Sequence, residues 1–128
     1  MTAKGKRMNV LIIVGICVIL GVFGQLAMKK GLNHIGVVPV KELFSEKIFS
    51  IIFQKYVFVG IILYGIASIL WLAALSMEEV SYIYPLIGTG YILTAILAWV
   101  FFGEKLTAMK LLGIVLISLG AYLVVIKL

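Results

Sequence analysis

The sequence predicts an all-α membrane protein, with four transmembrane helices and an interfacial amphipathic helix between the first and second. Three observations predict it. Hydrophobic residues make up 64% of the 128 and charged residues only 12%, too little polar surface for a water-soluble domain of this size. Residues 10–28, 57–77 and 81–102 contain no Asp, Glu, Lys or Arg, and 108–126 contains only Lys110. Each is long enough to cross a bilayer as a helix, the form in which a segment satisfies its own backbone groups. Finally, the last three stretches are joined by short links, whereas residues 32–55 separate the first from the second.

Residues 1–9 read as a short basic tail carrying Lys4, Lys6 and Arg7. A secretory signal has a similar start. However, 10–28 exceeds a usual apolar signal core, and Met28-Lys29-Lys30 is no small-residue cleavage site. The first span stops at Lys29-Lys30, and Gly31 is placed to terminate the helix. The connection that follows is too long for a turn. Within it Pro39 opens a helix whose Leu43, Phe44, Lys47, Ile48, Ile51 and Ile52 fall along one side. Glu42, Ser45, Glu46 and Ser50 occupy much of the other. This imperfect amphipathic pattern suits the headgroup layer; the alternative is an early extension of span two.

Span two ends at Glu78-Glu79 and forms a tight antiparallel hairpin with span three. Pro85 lies early in span three, either tolerated as an early-helix residue or leaving a local break. Gly103 to Thr107 makes the last turn, with Thr107 as the cap of span four. Both termini then lie on one side, with Lys4, Lys6, Arg7 and Lys127. The other side holds Lys29, Lys30, Lys41, Lys47, Lys55, Lys105 and Lys110. That balance leans toward external termini, although the interfacial helix supplies much of the excess.

The net charge of +6 belongs to segments flanking the spans. It points to anionic headgroups of the lipid bilayer and not to nucleic acid. Cys17 is the only cysteine and forms no internal disulfide; His34 has no second histidine for a metal site. No paired acids, metal cluster or nucleophile–base arrangement suggests an enzyme, and no cofactor or metal is implied.

Polar side chains inside the spans are the candidate binding residues. Gln25 stands beside a thin face of Cys17, Gly21, Gly24 and Met28, and serves either helix packing or contact with a polar headgroup. Span three carries Ser81, Tyr82, Tyr84, Thr89, Tyr91 and Thr94. Tyr84, Gly88 and Tyr91 share a side, on which Gly88 and Ala95 open a groove. Tyr82 and Tyr84 also fit an aromatic belt. Tyr91 and Thr94 lie deeper; with Trp71 of span two they line a cavity for something partly polar and partly apolar. Glu78 and Glu79 either cap span three or bind a cationic group. Lys29, Lys30, Lys41 and Lys47 are the candidates for a phosphate or headgroup, as point charges or as plain interfacial anchors. Gly113 and Gly120 give span four a smooth face, within the bundle or between subunits. Four short-linked helices hardly enclose a cavity alone, so a dimer of eight is expected.

An ordered set of motifs carries a family resemblance. Glu78-Glu79-Val80-Ser81, Tyr84-Pro85-Leu86, Gly88-Thr89-Gly90-Tyr91 and the run from Trp99 to Leu106 look like the drug/metabolite transporter superfamily, the EamA-like proteins. The run from Gly113 to Tyr122 extends the likeness. It covers nearly the whole chain and implies that 1–128 is a single four-helix transmembrane transporter domain. The small multidrug-resistance transporters resemble the chain in size and around Gly24 and Met28-Lys29. They exchange protons for cationic drugs on a glutamate in span one, and that position falls here on Gly21. The small flippase-like group, similar to the subunits that move undecaprenyl-phosphate-linked aminoarabinose, shares the Glu-Glu-Val-Ser, Tyr-Pro-Leu and Phe-Gly-Glu elements and a longer first connection. This resemblance implies a dimeric flippase for a lipid-linked or amphiphilic metabolite, such as a polyprenyl-phosphate-linked sugar. The partner is a second copy or a similar small membrane protein. The alternatives are a cation exporter without the usual glutamate, and a non-transporting assembly subunit.

Overall fold

A computed structural model describes residues 3–126. Among the described residues six α-helices are present: α1 (Ala3–Ile35), α2 (Lys47–Ile52), α3 (Lys55–Met77), α4 (Val80–Gly88), α5 (Gly90–Phe102) and α6 (Ala108–Val125), with a 3-10 turn at Val40–Phe44 before α2. Four helical stretches are long and apolar enough to cross a membrane: Met8–Ile35, Lys55–Met77, Val80–Phe102 and Ala108–Val125. The chain is an all-α, multi-pass membrane protein with a short interfacial element between its first two spans. Lys127, counted above among the terminal charges, lies outside the described residues.

α1 differs from its expected limits at both ends. The basic segment after Thr2 is already helical, and the helix passes through Lys29, Lys30 and Gly31 to Ile35. Its 33 residues measure about 50 Å at 1.5 Å per residue, against a hydrocarbon core of about 30 Å. Gly31 does not stop the helix because it is a packing residue: a Cβ there would run into the Gln54 side chain and Val57. Gly36 stops it instead. Its φ of +100° is open to glycine, and its N–H donates to the Leu32 carbonyl at 2.7 Å.

The expected amphipathic helix is two short pieces. Ser45 sits between them in extended backbone, with φ −114° and ψ 178°. Its hydroxyl donates to the Glu42 carbonyl at 2.8 Å and accepts from the Lys47 N–H at 3.3 Å, so it ends one piece and starts the next. Ile51 is buried, while Phe44 points away and is 88% exposed. The single apolar face expected from the sequence is therefore split by the break. α2 is no extension of α3, because Gln54 separates them. Its Oε1 accepts from the N–H groups of Tyr56 (2.8 Å) and Val57 (3.0 Å) and so caps α3.

α1 and α3 form the most extensive helix pair, and α4 packs mainly on α6. The α1–α3 pair closes on glycines. A Cβ on Gly60 would lie 2.5 Å from the Gly24 carbonyl oxygen and 2.8 Å from the Met28 nitrogen. Small residues allow that approach, which in lipid is driven by packing and not by water exclusion. At the other end of the pair, Val10, Val14, Ala74, Tyr82 and Ile83 form the buried core, supported by Trp71 and Leu86.

The third span is one crossing with a joint at Thr89. The Thr89 N–H and hydroxyl both reach the Leu86 carbonyl, at 3.2 and 2.6 Å, and Ile92 N–H donates to the Thr89 carbonyl at 3.2 Å. These shorter-range bonds tighten the helix between Gly88 and Gly90. The joint lies beyond Pro85, which is accommodated inside α4. After α5 the chain turns at Gly103 (φ +66°). The Thr107 hydroxyl accepts from Lys110 N–H at 3.2 Å, capping α6 as its sequence suggests.

Candidate substrate cavity

A cavity of about 370 Å³ lies between α1, α3 and the α4–α5 span. α1 contributes Cys17, Val18, Gly21, Val22 and Gln25; α3 contributes Tyr64, Ala67, Ser68 and Trp71; α4–α5 contribute Tyr84, Ile87, Gly90, Tyr91 and Thr94. Each set recurs at three- and four-residue steps, so each is one face of its helix. Among the described residues, none that lines the cavity is charged.

The walls are held in different ways. The Cys17 thiol donates to the Ala67 carbonyl at 3.4 Å, tying α1 to α3. A Cβ on Gly90 would lie 2.8 Å from Val18 Cγ1, so α5 meets α1 through this glycine. Gly21 has the opposite surroundings, with no atom within 4 Å of an added Cβ, and helps form the open space. Trp71 meets Tyr84 edge-on with ring centroids 6.4 Å apart. Tyr84 is 65% exposed and Tyr91 43%, so this wall opens outward between helices.

The polar inventory is mostly hydroxyl and amide. Thr94 Oγ1 donates to the Gly90 carbonyl (2.9 Å) and Ser68 Oγ to the Tyr64 carbonyl (2.9 Å), which leaves both oxygens able to accept. Gln25 is exposed, and no described residue hydrogen-bonds its amide. Such a lining receives a neutral polar group beside an apolar one.

Gln25, Trp71, Tyr84, Tyr91 and Thr94 thus come together in one cavity. Two details differ from the sequence expectation. Trp71 shares the lining with Tyr91 and Thr94, but the ring it meets is that of Tyr84, which by sequence also fits an aromatic belt. Gly88 faces α6, where a Cβ would meet Ile117 Cγ2 at 3.5 Å, and Ala95 borders a smaller hollow with Glu104, Lys105 and Lys110, on the far side of Tyr91 and Thr94, which line both. Glu78 and Glu79 sit in the α3–α4 turn, outside the cavity lining. Glu79 holds the cap position of α4 through its carbonyl, which accepts from Tyr82 and Ile83 N–H, without a side-chain cap bond.

The lysines lie apart from the cavity, around the end of the bundle where α1 finishes. Lys47 Nζ is 3.2 Å from Glu42 Oε1. Lys29 and Lys41 are exposed, and Lys30 stands over the Tyr56 ring. Sequence reasoning missed Tyr64 and Ser68. Their spacing with Trp71 was the available signal, since the three share one face of α3.

Residues 38–126 match the EamA-like transporter family. The chain belongs to that family. It is 32% identical over 105 residues to the probable 4-amino-4-deoxy-L-arabinose-phosphoundecaprenol flippase subunit ArnF of Proteus mirabilis, covering 78% of this chain and 79% of that one. The corresponding ArnF of Aeromonas hydrophila is 41% identical over 70 residues, 53% of this chain and 48% of its own. A probable flippase subunit ArnE of Yersinia pestis is 29% identical over 69 residues, 54% and 60% of the two chains. The chain therefore spans about half the length of the Aeromonas relative and most of the Proteus one. These relatives carry the names of flippase subunits, not of enzymes. No solved structure matches the chain.

Proposed function

We propose that this protein is a flippase that moves a lipid-linked or amphiphilic metabolite, such as a polyprenyl-phosphate-linked sugar, across the bilayer. It does so as half of a dimer, with 1–128 acting as one transporter domain and no catalytic step. The observation that carries the reading is the cavity itself: neutral polar groups beside aromatic faces, opening between helices, without a charged residue. A sugar hydroxyl finds acceptors and donors at Gln25, Tyr91 and Thr94, and its ring faces stack on Trp71 or Tyr84. The prenyl tail stays in the lipid, which is why an outward opening suits this cargo. Glu78 and Glu79, in the α3–α4 turn, meet a cationic group of the cargo as it enters or leaves on that side.

The names of the relatives support both cargo and partnership. They are phosphoundecaprenol-sugar flippase subunits, and the chain resembles both the ArnE and the ArnF kinds. A second, similar small membrane protein is therefore the proposed partner, with a second copy of this chain as the alternative. The acid-free lining weighs against proton-for-cation exchange.

Reconstitution tests this. Vesicles containing the protein and a labelled polyprenyl-phosphate sugar are probed with a membrane-impermeant reagent. Faster loss of protected label than in empty vesicles is expected, and Gln25→Leu with Tyr91→Phe should slow it roughly thirtyfold, the equivalent of two lost hydrogen bonds at about 1 kcal/mol each. No transport of this lipid, with proton leak on adding cationic drugs, would sink the reading. Unchanged transport in the variants with intact assembly would remove the cavity from it.

A further inference from the structure

A cluster of basic groups where α1 meets the start of α3 takes no part in the cavity. The Lys30 ammonium lies 4.5 Å from the centroid of the Tyr56 ring, and the Lys55 ammonium lies 5.0 Å from the same point. The His34 ring meets Tyr56 edge-on, with centroids 5.6 Å apart. Two ammonium groups gathered on one ring repel each other, and cation–π attraction at exposed side chains is modest. No carboxylate relieves them: the one ion pair among the described residues is Lys47 with Glu42.

The scaffold beneath the cluster is closely packed. Gly31 lies against Gln54 and Val57 without room for a Cβ, and Gln54 caps the turn that carries Tyr56. The height is also defined. The charge-free run of α1 ends at Met28 and α3 begins at Lys55, so the cluster stands at headgroup level. Beside it, Phe53 and Phe58 stack with centroids 5.8 Å apart and remain 66% and 41% exposed. A cationic group of side chains next to an open aromatic surface matches a phosphate with a hydrocarbon tail better than phosphate alone.

We propose that Lys30, Lys55 and Tyr56, with His34 beside them, bind the phosphate of an anionic membrane lipid. The two ammonium groups supply charge and several N–H donors, and the Tyr56 hydroxyl supplies another. Phe53 and Phe58 take the first part of the tail. This assigns the phosphate contact of the proposed cargo and, for the cargo's identity, rests on the flippase reading. It is tested by binding and not by transport, so the two fail separately.

The purified full chain in nonionic detergent is titrated with undecaprenyl phosphate, undecaprenol, phosphatidylglycerol and inorganic phosphate, and bound ligand is read by native mass spectrometry. The phosphorylated lipids should bind more tightly than undecaprenol. Lys30→Gln with Lys55→Gln should weaken them roughly thirtyfold, as expected for two lysines near a membrane surface. Lys105→Gln with Lys110→Gln removes the same charge elsewhere at that end of the bundle and should leave binding unchanged. Equal loss in both double variants means general surface charge and overturns the site. So does wild-type affinity in the Lys30/Lys55 variant. Inorganic phosphate that binds as tightly as the lipids overturns the lipid assignment. A wild-type chain that binds phosphorylated lipid here but moves none overturns the flippase reading and leaves this site standing.

Discussion

Gly21 and Gly24 are three residues apart on one helix and do opposite things. Gly24 meets Gly60 backbone to backbone, whereas Gly21 borders open space. Gly60→Ala must push α1 and α3 apart: the Met28 side chain can swing away, but the Gly24 carbonyl oxygen and the Met28 nitrogen are backbone and cannot. It should cost about 1–3 kcal/mol in a reversible detergent-unfolding experiment. Gly21→Leu should leave unfolding within about 0.5 kcal/mol of wild type, yet fill the cavity and abolish transport in the vesicle assay. In the sequence these glycines belong to one small-residue face. Nothing local separates them, since the difference lies in what stands opposite each one.

Helix ends show a similar division between local chemistry and context. Thr107 before α6 is a favoured cap residue, and its role was legible. Gln54 is not among the preferred caps, yet its longer side chain folds back onto two N–H groups of α3. Gln54→Ala should destabilise by about 1 kcal/mol in the same unfolding experiment. It should also loosen Tyr56, read as faster exchange of the Tyr56 and Val57 amides. Gly31 is the stop expected from the sequence, and Gly36 is the stop observed. Packing against α3 makes Gly31 a helical residue, and the backbone at Gly36 demands positive φ. Gly36→Ala should therefore cost about 1 kcal/mol.

The whole molecule is a loosely self-covered bundle. Spans three and four bury only 6% and 11% of their most apolar windows, and α6 adds nothing to the cavity wall. Lipid or a partner must cover Trp99, Phe101, Leu116 and Leu123, which stand outward. A native mass near twice 14.1 kDa, or that of a pair with a similar small protein, is expected for the working unit; a monomer active in vesicles would refute dimerisation. The four crossings also fix which turns face together. In a Cys17→Ala background, Glu79→Cys and Glu104→Cys should react with an impermeant maleimide from opposite sides of the membrane. Labelling of both from one side would contradict four crossings.

The sequence by itself determined the class of the protein: four apolar, almost charge-free stretches can only be stable as helices in a bilayer, where backbone groups have no other partners. It also determined that these spans carry no acid and that their polar side chains are few enough to name. Only the tertiary structure decided which of those side chains meet. Gln25, Trp71, Tyr84, Tyr91 and Thr94 converge because α1 and α3 close on Gly24 and Gly60, while α5 meets α1 at Gly90. It likewise drew Lys30 and Lys55 onto Tyr56 and gave Lys47 to Glu42. The physical reason is that span identity depends on transfer of each segment into lipid, a local sum. A cavity or an ammonium pair depends on the distance of closest approach between helices, which is set by pairs of residues far apart in the chain.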